Sequence, residues 1–393
     1  MLAQCVFWVS GACVAYSYVL YPGFIYWAAR FWGRSPARPQ VPDAELPTVT
    51  LLIAAHNEES VIAERIENSL NLDYPAGRLE VVVALDGCSD RTAEIVRNYE
   101  SRGVRVLDNP SRQGKAATLN AAIARLTSEI LILSDANTSN ERSAARRLVS
   151  WFADLRVGVV CGRLILTDPR TGRNVDSLYW RYETFLKRCE ATLGALLGAN
   201  GAIYAIRRSA FVPLQPNTII DDFVIPLQSK LRTGCSIVYD AEAIAWEETP
   251  ARLGAEFGRR ARIGAGAFQS LRMLRPIFHP CQGWLLLSFV SHKLLRWFCP
   301  LFLLALFMAT VPLVDRGFYC GALVAQIAFY GLAIGGLCLP GANLPARLIR
   351  LQTMFCSMNL ALAVGFWRYA FGRQHAAWRR TERTASCSGG HSS

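Results

Sequence analysis

The stretch EILILSDANTS, residues 129–139, closes an apolar run on Asp135, Ala136 and Asn137. An acid and an amide two residues apart, at the end of a buried strand, offer two oxygen donors to one hard cation. Mg²⁺ or Mn²⁺ accepts such ligands and completes its shell from phosphate oxygens and water. Two other apolar runs end in the same manner. TVTLLIAA (48–55) leads into His56, Asn57 and Glu58, and LEVVVALD (79–86) ends on Asp86. Any one of these is an ordinary turn or helix-cap residue; three strand ends of this kind point to a nucleotide site. RQGKAATLN sets Gly114 and Lys115 at a helix start, where backbone amides and an ammonium can meet a diphosphate. A G-x-x-x-x-G-K-[ST] loop is absent from the sequence, so ATP hydrolysis of the P-loop kind has no support.

The elements around these residues must bring them to one edge. EESVIAERIENSL spaces Val61, Ile62, Ile66 and Leu70 as one helical face. SDRTAEIVRNYE opens a second helix, capped by Ser89 or Asp90, and GKAATLNAAIARL a third. With VRVL as a further strand, strands and helices alternate over this span. That alternation predicts an α/β fold with a parallel, doubly wound sheet. Ligands of such sheets sit outside the carboxyl ends of the strands, where the polar residues above lie.

In this order, AAHNEE, LDGCSD, RQGKAATLN, SDAN, LGANGA, IIDDF and RRARI resemble the signatures of the membrane-integrated family 2 glycosyltransferases. These include the cellulose, chitin, hyaluronan and poly-N-acetylglucosamine synthases. The resemblance implies a GT-A, nucleotide-diphospho-sugar transferase domain at 47–276, set between transmembrane helices, and an inverting transfer. It puts Asp86, Asn57 and Glu58 at the nucleotide of a donor expected to be a UDP-sugar. Lys115 would lie near the phosphates and Asp135 on the metal, with Asn137 where relatives carry a second acid. Asp222 maps to the base and Asp221 to the acid before it. Asn200 and Gly201 map to the acceptor loop. In RRARI, Arg262 matches the Arg of a Q-x-x-R-W motif, while Arg259 and Ile263 replace its Gln and Trp; loss of that Trp weakens the case for processive polymerisation. Tyr179, Trp180 and Trp246 could stack on sugars in its place.

The chemistry needs these residue types for its own reasons. Inverting transfer requires one base for the acceptor proton. It also requires positive charge on the departing diphosphate, from Mg²⁺ or Mn²⁺ and from Arg259, Arg260 and Arg262. The expected reaction extends a growing polysaccharide. A single transfer to a lipid-linked acceptor is the alternative, and a membrane scaffold or transporter without catalysis a more distant one.

Of 393 residues, 52% are hydrophobic, and the net charge is +12. The apolar excess sits in residues 1–32 and 298–371, with basic residues beside it. That placement marks cytoplasmic flanks rather than a nucleic-acid surface. Residues 1–32 lack a basic leader and predict a transmembrane helix ending toward the cytoplasm at Arg30, Arg34 and Arg38, followed by a linker at 33–46. Residues 282–297 mix Leu and Phe with His292, Lys293 and Arg296, the pattern of an interfacial amphipathic helix in contact with membrane lipids. A transmembrane region at 298–371 and a basic tail at 372–393 complete an inner (plasma) membrane, multi-pass reading with a cytoplasmic domain. The tail carries Trp378, Thr381 and Arg383, similar to the W-x-x-T-x-R of relatives with cytoplasmic tails. So few spans would line only a narrow path, which leaves room for an export-channel partner. The 12 cysteines include no C-x-x-C pair, so neither a metal site nor a disulfide framework is expected of them.

Overall fold

The computed structural model describes residues 1–168, 178–249, 253–336 and 344–374. The tail residues Trp378, Thr381 and Arg383 lie outside them. Among the described residues one sheet holds β1 (Val49–Ala55), β2 (Leu79–Asp86), β3 (Val104–Asn109), β4 (Ile130–Asp135), β5 (Thr138–Asn140), β6 (Val157–Thr167), β7 (Tyr204–Arg207) and β8 (Ser236–Glu248). Their order is β3-β2-β1-β4-β7-β6-β8-β5.

β1 is buried along its whole length, which explains its unbroken apolar sequence. Alternate residues serve opposite faces of the sheet. Leu52, Val82, Leu131 and Leu133 pack with Ala116 and Leu119 of the helix Lys115–Ile123. Leu51, Ile53, Val81 and Val83 pack with Ile62 and Ile66 of the helix Ile62–Leu70.

The parallel expectation holds for half of the sheet. β3, β2, β1 and β4 are parallel, but β7 runs antiparallel to β4, with Leu133 opposite Tyr204. The whole is therefore a mixed sheet. The reversal has a consequence for the site, because β7 begins where β4 ends. The LGANGA loop that feeds β7 is thereby held beside Asp135, whose amide donates to the Gly201 carbonyl at 3.1 Å. The helix Asp221–Thr233 then starts against the same loop, through a bond from the Ala199 amide to the Asp222 carbonyl at 2.9 Å.

Among the described residues, four helices are long and apolar enough to cross a membrane: Leu2–Trp32, Trp284–Leu313, Gly317–Gly335 and Leu348–Ala370. The segment 282–297, expected as a separate interfacial helix, is instead continuous with the apolar segment after it. Its polar residues face protein. His292 Nδ1 lies 2.6 Å from Glu190 Oε1, and Arg296 donates to Glu183 Oε1 at 2.5 Å, both acids belonging to the helix Leu178–Thr192. Tyr21 of the first apolar helix donates to the same Glu190 oxygen at 2.9 Å. Buried charges that need partners thus tie two apolar helices to the sheet domain. The linker lies on the domain as well, where Arg38 pairs with Asp240 at 3.1 Å and Glu242 at 2.9 Å.

Candidate active site

Three acids meet at the junction of β4, the LGANGA loop and the helix Asp221–Thr233. Gly201 is the hinge between them. Its amide donates to Asp222 Oδ2 at 3.1 Å, and a Cβ built on it would stand 2.7 Å from Asp135 Oδ2. Asp221 and Asp222 occupy the first turn of their helix, where the macrodipole favours negative charge. Burial, and then the neighbouring Asp221, push the Asp222 carboxyl up to about 6, against the opposing pull of Lys115.

Lys115 joins the acids. Its ammonium lies 2.7 Å from Asp135 Oδ1 and 3.1 Å from Asp221 Oδ2. Burial works against the ammonium, yet Asp135 and Asp221 outweigh it, and its pKa is raised. The expectation for Lys115 is a place near phosphates; in the structure it pairs with two of the three acids. The two placements are compatible, because a diphosphate bound there would meet the same ammonium.

The loops after β1 and β2 are locked together. Asn57 has a φ of +56°, a left-handed backbone that Asn tolerates better than most residues. Its side chain exchanges two bonds with Ser89, at 2.8 and 3.0 Å. His56 Nδ1 lies 2.6 Å from the Asp86 carbonyl, and the Glu58 amide donates to Thr92 Oγ1 at 2.7 Å. Asp86 differs from the expectation of a direct nucleotide contact. Its side chain is fully buried, and its two oxygens accept the amides of Gln113 at 2.7 Å and Gly114 at 2.9 Å. It shapes the turn that delivers Lys115.

These groups open onto a cleft of about 390 Å³ whose walls include Glu58, Lys115, Asp135, Asn137, Asp221 and Asp222. Asn200 and Gly201 lie on the wall, as do Arg259 and Arg262. Arg262 reaches the Ile219 carbonyl at 3.4 Å. Arg259 is held by Glu256 through bonds of 2.9 and 3.2 Å. Arg260 does not join them. It points one position round the helix Leu253–Met273, bonds Glu256 at 2.6 Å, and lines a second chamber under the Tyr179 ring. Its side chain lies outside the lining of the cleft, away from its expected place at the leaving group.

Residues 50–212 match the family described as glycosyl transferase family 2. The chain carries a family 2 glycosyltransferase domain. It is 28% identical over 254 residues to the poly-beta-1,6-N-acetyl-D-glucosamine synthase of Staphylococcus aureus strain COL. That alignment covers 61% of this chain and 59% of the relative, so the chain spans less than two thirds of the relative's length. A probable glycosyltransferase of Bacillus subtilis strain 168, YdaM, is 28% identical over 236 residues, 56% of each chain. Among solved structures, the mannosyltransferase PcManGT of Pyrobaculum calidifontis, in complex with GDP-Man and Mn²⁺, superposes with a TM-score of 0.71. It covers 94% of this chain and 100% of its own at 20% identity, a likeness of fold, which is GT-A.

The donor set suits an ion that arrives with its own ligands. Among the described residues no cluster of three or more His, Cys, Asp or Glu forms a cage. Asp135 and Asn137 would supply one carboxylate and one amide oxygen, the sparse hard set with which Mg²⁺ or Mn²⁺ binds alongside phosphates and water. The Lys115 ammonium at 2.7 Å from Asp135 shows that the carboxylate already holds a cation.

Several site residues carried no sequence signal. Glu247, at the end of β8, accepts from Asn137 Nδ2 at 3.2 Å and lines the cleft. Lys187 fixes the Asn200 side chain through a 2.5 Å bond to Oδ1, while Nδ2 donates to the Gly162 carbonyl at 3.0 Å. Trp297 joins Tyr179 and Trp180 on the wall, whereas Trp246 lies outside the lining.

Proposed function

We propose that the protein is an inverting glycosyltransferase that moves a sugar from a nucleoside-diphosphate donor, a UDP-sugar by expectation, to a growing polysaccharide at the inner membrane. The observation that carries this reading is Asp222, a carboxylate raised to about 6, set in one cleft with Lys115 and Asp135. Such a group is ionised at neutral pH and still basic enough to take a proton.

The Gly201 amide holds Asp222 Oδ2, which leaves Oδ1 for the acceptor hydroxyl. As that hydroxyl loses its proton to Asp222, its oxygen bonds the anomeric carbon from the face opposite the diphosphate. The bond from that carbon to the diphosphate oxygen breaks, and the electron pair departs with the nucleotide. Lys115, Arg259 and Arg262 line the cleft and meet the developing negative charge. Mg²⁺ or Mn²⁺ on Asp135 and Asn137 would add positive charge at the same oxygens when bound. Asn200, fixed by Lys187, and Gly201 position the acceptor. The basic residues after the first apolar helix support a cytoplasmic domain supplied with cytoplasmic donor.

The test is a screen of UDP-, GDP- and dTDP-sugars with purified protein and Mn²⁺, scored by release of nucleoside diphosphate. One donor should stand out, and release should vanish in Asp222→Asn. Silence with every donor would sink the reading.

A further inference from the structure

Beside the catalytic cleft lies a second chamber of about 490 Å³. Leu351, Met354, Phe355, Met358 and Leu362 of the last apolar helix line it together with Leu178 and Tyr18. Tyr179, Trp180, Arg259, Ile263, Lys293 and Trp297 line both spaces, so the two adjoin. Four cations, Arg259, Arg260, Lys293 and Arg296, stand on the chamber wall against one carboxylate, Glu183. Glu256 pairs with Arg259 and Arg260, and Glu183 with Arg296, which still leaves cations in excess there.

A wall of Leu, Met and Phe does not suit a polyhydroxylated chain, because each buried hydroxyl would lack a partner. It suits hydrocarbon. The cations between chamber and cleft suit a phosphate. The head group must also offer a hydroxyl, since a phosphate oxygen is already ionised at neutral pH and needs no base. Asp222 would have no task with such a nucleophile.

We propose that the chamber binds the hydrocarbon tail of a phospholipid whose anionic head carries a free hydroxyl, and that this lipid is the first acceptor. The inference rests on the glycosyltransferase reading above. The head hydroxyl gives its proton to Asp222, its oxygen bonds the anomeric carbon, and the nucleoside diphosphate leaves with the electron pair. The product is a glycolipid anchored beside the cleft.

The test uses the full chain in nanodiscs containing phosphatidylglycerol with a diazirine on one acyl chain. Phosphatidylcholine with the same chain is the control. Irradiation should label residues 351–362, with phosphatidylglycerol favoured about fivefold by its charge. Met358→Trp and Met354→Trp each fill the chamber, and either should cut that labelling about tenfold. Binding of nucleoside diphosphate with Mn²⁺ should persist in both, which shows them folded. With the active donor, labelled sugar should enter the organic phase on phosphatidylglycerol. Equal labelling by the two lipids, or labelling unchanged in both Trp variants, overturns the proposal. So does sugar transferred only to polyprenyl phosphate or to a water-soluble chain. Failure of the glycosyltransferase reading is distinct: no donor would release nucleotide, whatever the lipid labelling.

Discussion

Gly201 and Asp135 are in such close register that a single methyl group on the glycine would touch the carboxylate, 2.7 Å from Oδ2. The same glycine holds Asp222 through its amide, so one residue without a side chain sets the spacing of two acids. Gly201→Ala keeps the amide and displaces Asp135. Turnover should fall about 10²-fold, the scale of a 1 Å misplacement in an active site. Mn²⁺ affinity should fall with it while the melting temperature moves little. Unchanged turnover and metal affinity would show that the two acids tolerate a wider spacing.

A second outcome concerns the metal. Asn137 donates to Glu247 Oε1 at 3.2 Å, so Asn137→Asp removes a bond and brings a second carboxylate toward Glu247. Without metal the variant should lose on the order of 1 kcal/mol, the scale of one like-charge pair in water. With Mn²⁺ the added charge should tighten binding. Melting curves with and without chelator read the first effect, and calorimetry with Mn²⁺ the second. Wild-type turnover should be lost in excess chelator; full activity there removes the metal from the reaction.

The buried ion pair between Glu183 and Arg296 offers a test of how the domain is fastened. The side chains are 10% and 9% exposed, at 2.5 Å. Burial by itself would raise the Glu183 carboxyl, yet Arg296 and His292 hold it well below its ordinary value. Arg296→Met should cost about 3–5 kcal/mol, because it strands a buried charge. Lys293 at 3.9 Å and His292 at 3.2 Å would place the loss at the lower end of that range. Adding Glu183→Gln should recover much of it. A double variant no more stable than the single would mean that the two residues are not coupled.

The parts of the site that were legible in the sequence are those that depend on local pattern. Asp86 and Asp135 terminate apolar strands, and Lys115 opens a helix, so composition and periodicity placed them at one edge of a sheet. What each side chain does there was not legible. Asp86 turns inward because the loop at Gln113 and Gly114, 27 and 28 residues on, presents two amides to it. Glu247 reaches Asn137 from 110 residues away, through a strand whose partner cannot be read from alternation. The same limit hid the reversal of β7, only four residues long and antiparallel to both of its neighbours. Residues 282–297 were misleading for a physical reason. Charges on an apolar helix suit a membrane surface as well as a buried partner, and only the facing acids Glu183 and Glu190 decide between them.

The adjacent acids Asp221 and Asp222 have separable roles, and pH separates them. Asp222 must be ionised to accept a proton, so turnover should rise with pH through about 6, where its carboxyl titrates. Stability should move the other way. A folded-state value above the ordinary Asp value of about 3.9 means that the native protein binds the proton more tightly than the unfolded chain. The carboxyl's contribution is therefore most favourable at low pH and is lost as pH rises through that window. Burial is the larger cause of the shift and the Asp221 charge the next. Asp221→Asn removes the second cause only, so the acidic limb of the rate profile should move to lower pH while the enzyme keeps working. Asp222→Asn should lower turnover by about 10²–10⁴, the usual worth of a general base, with nucleotide affinity near wild type by calorimetry. Were Asp221→Asn the inactive variant and Asp222→Asn the active one with a shifted limb, the base would be Asp221 and the two assignments would exchange.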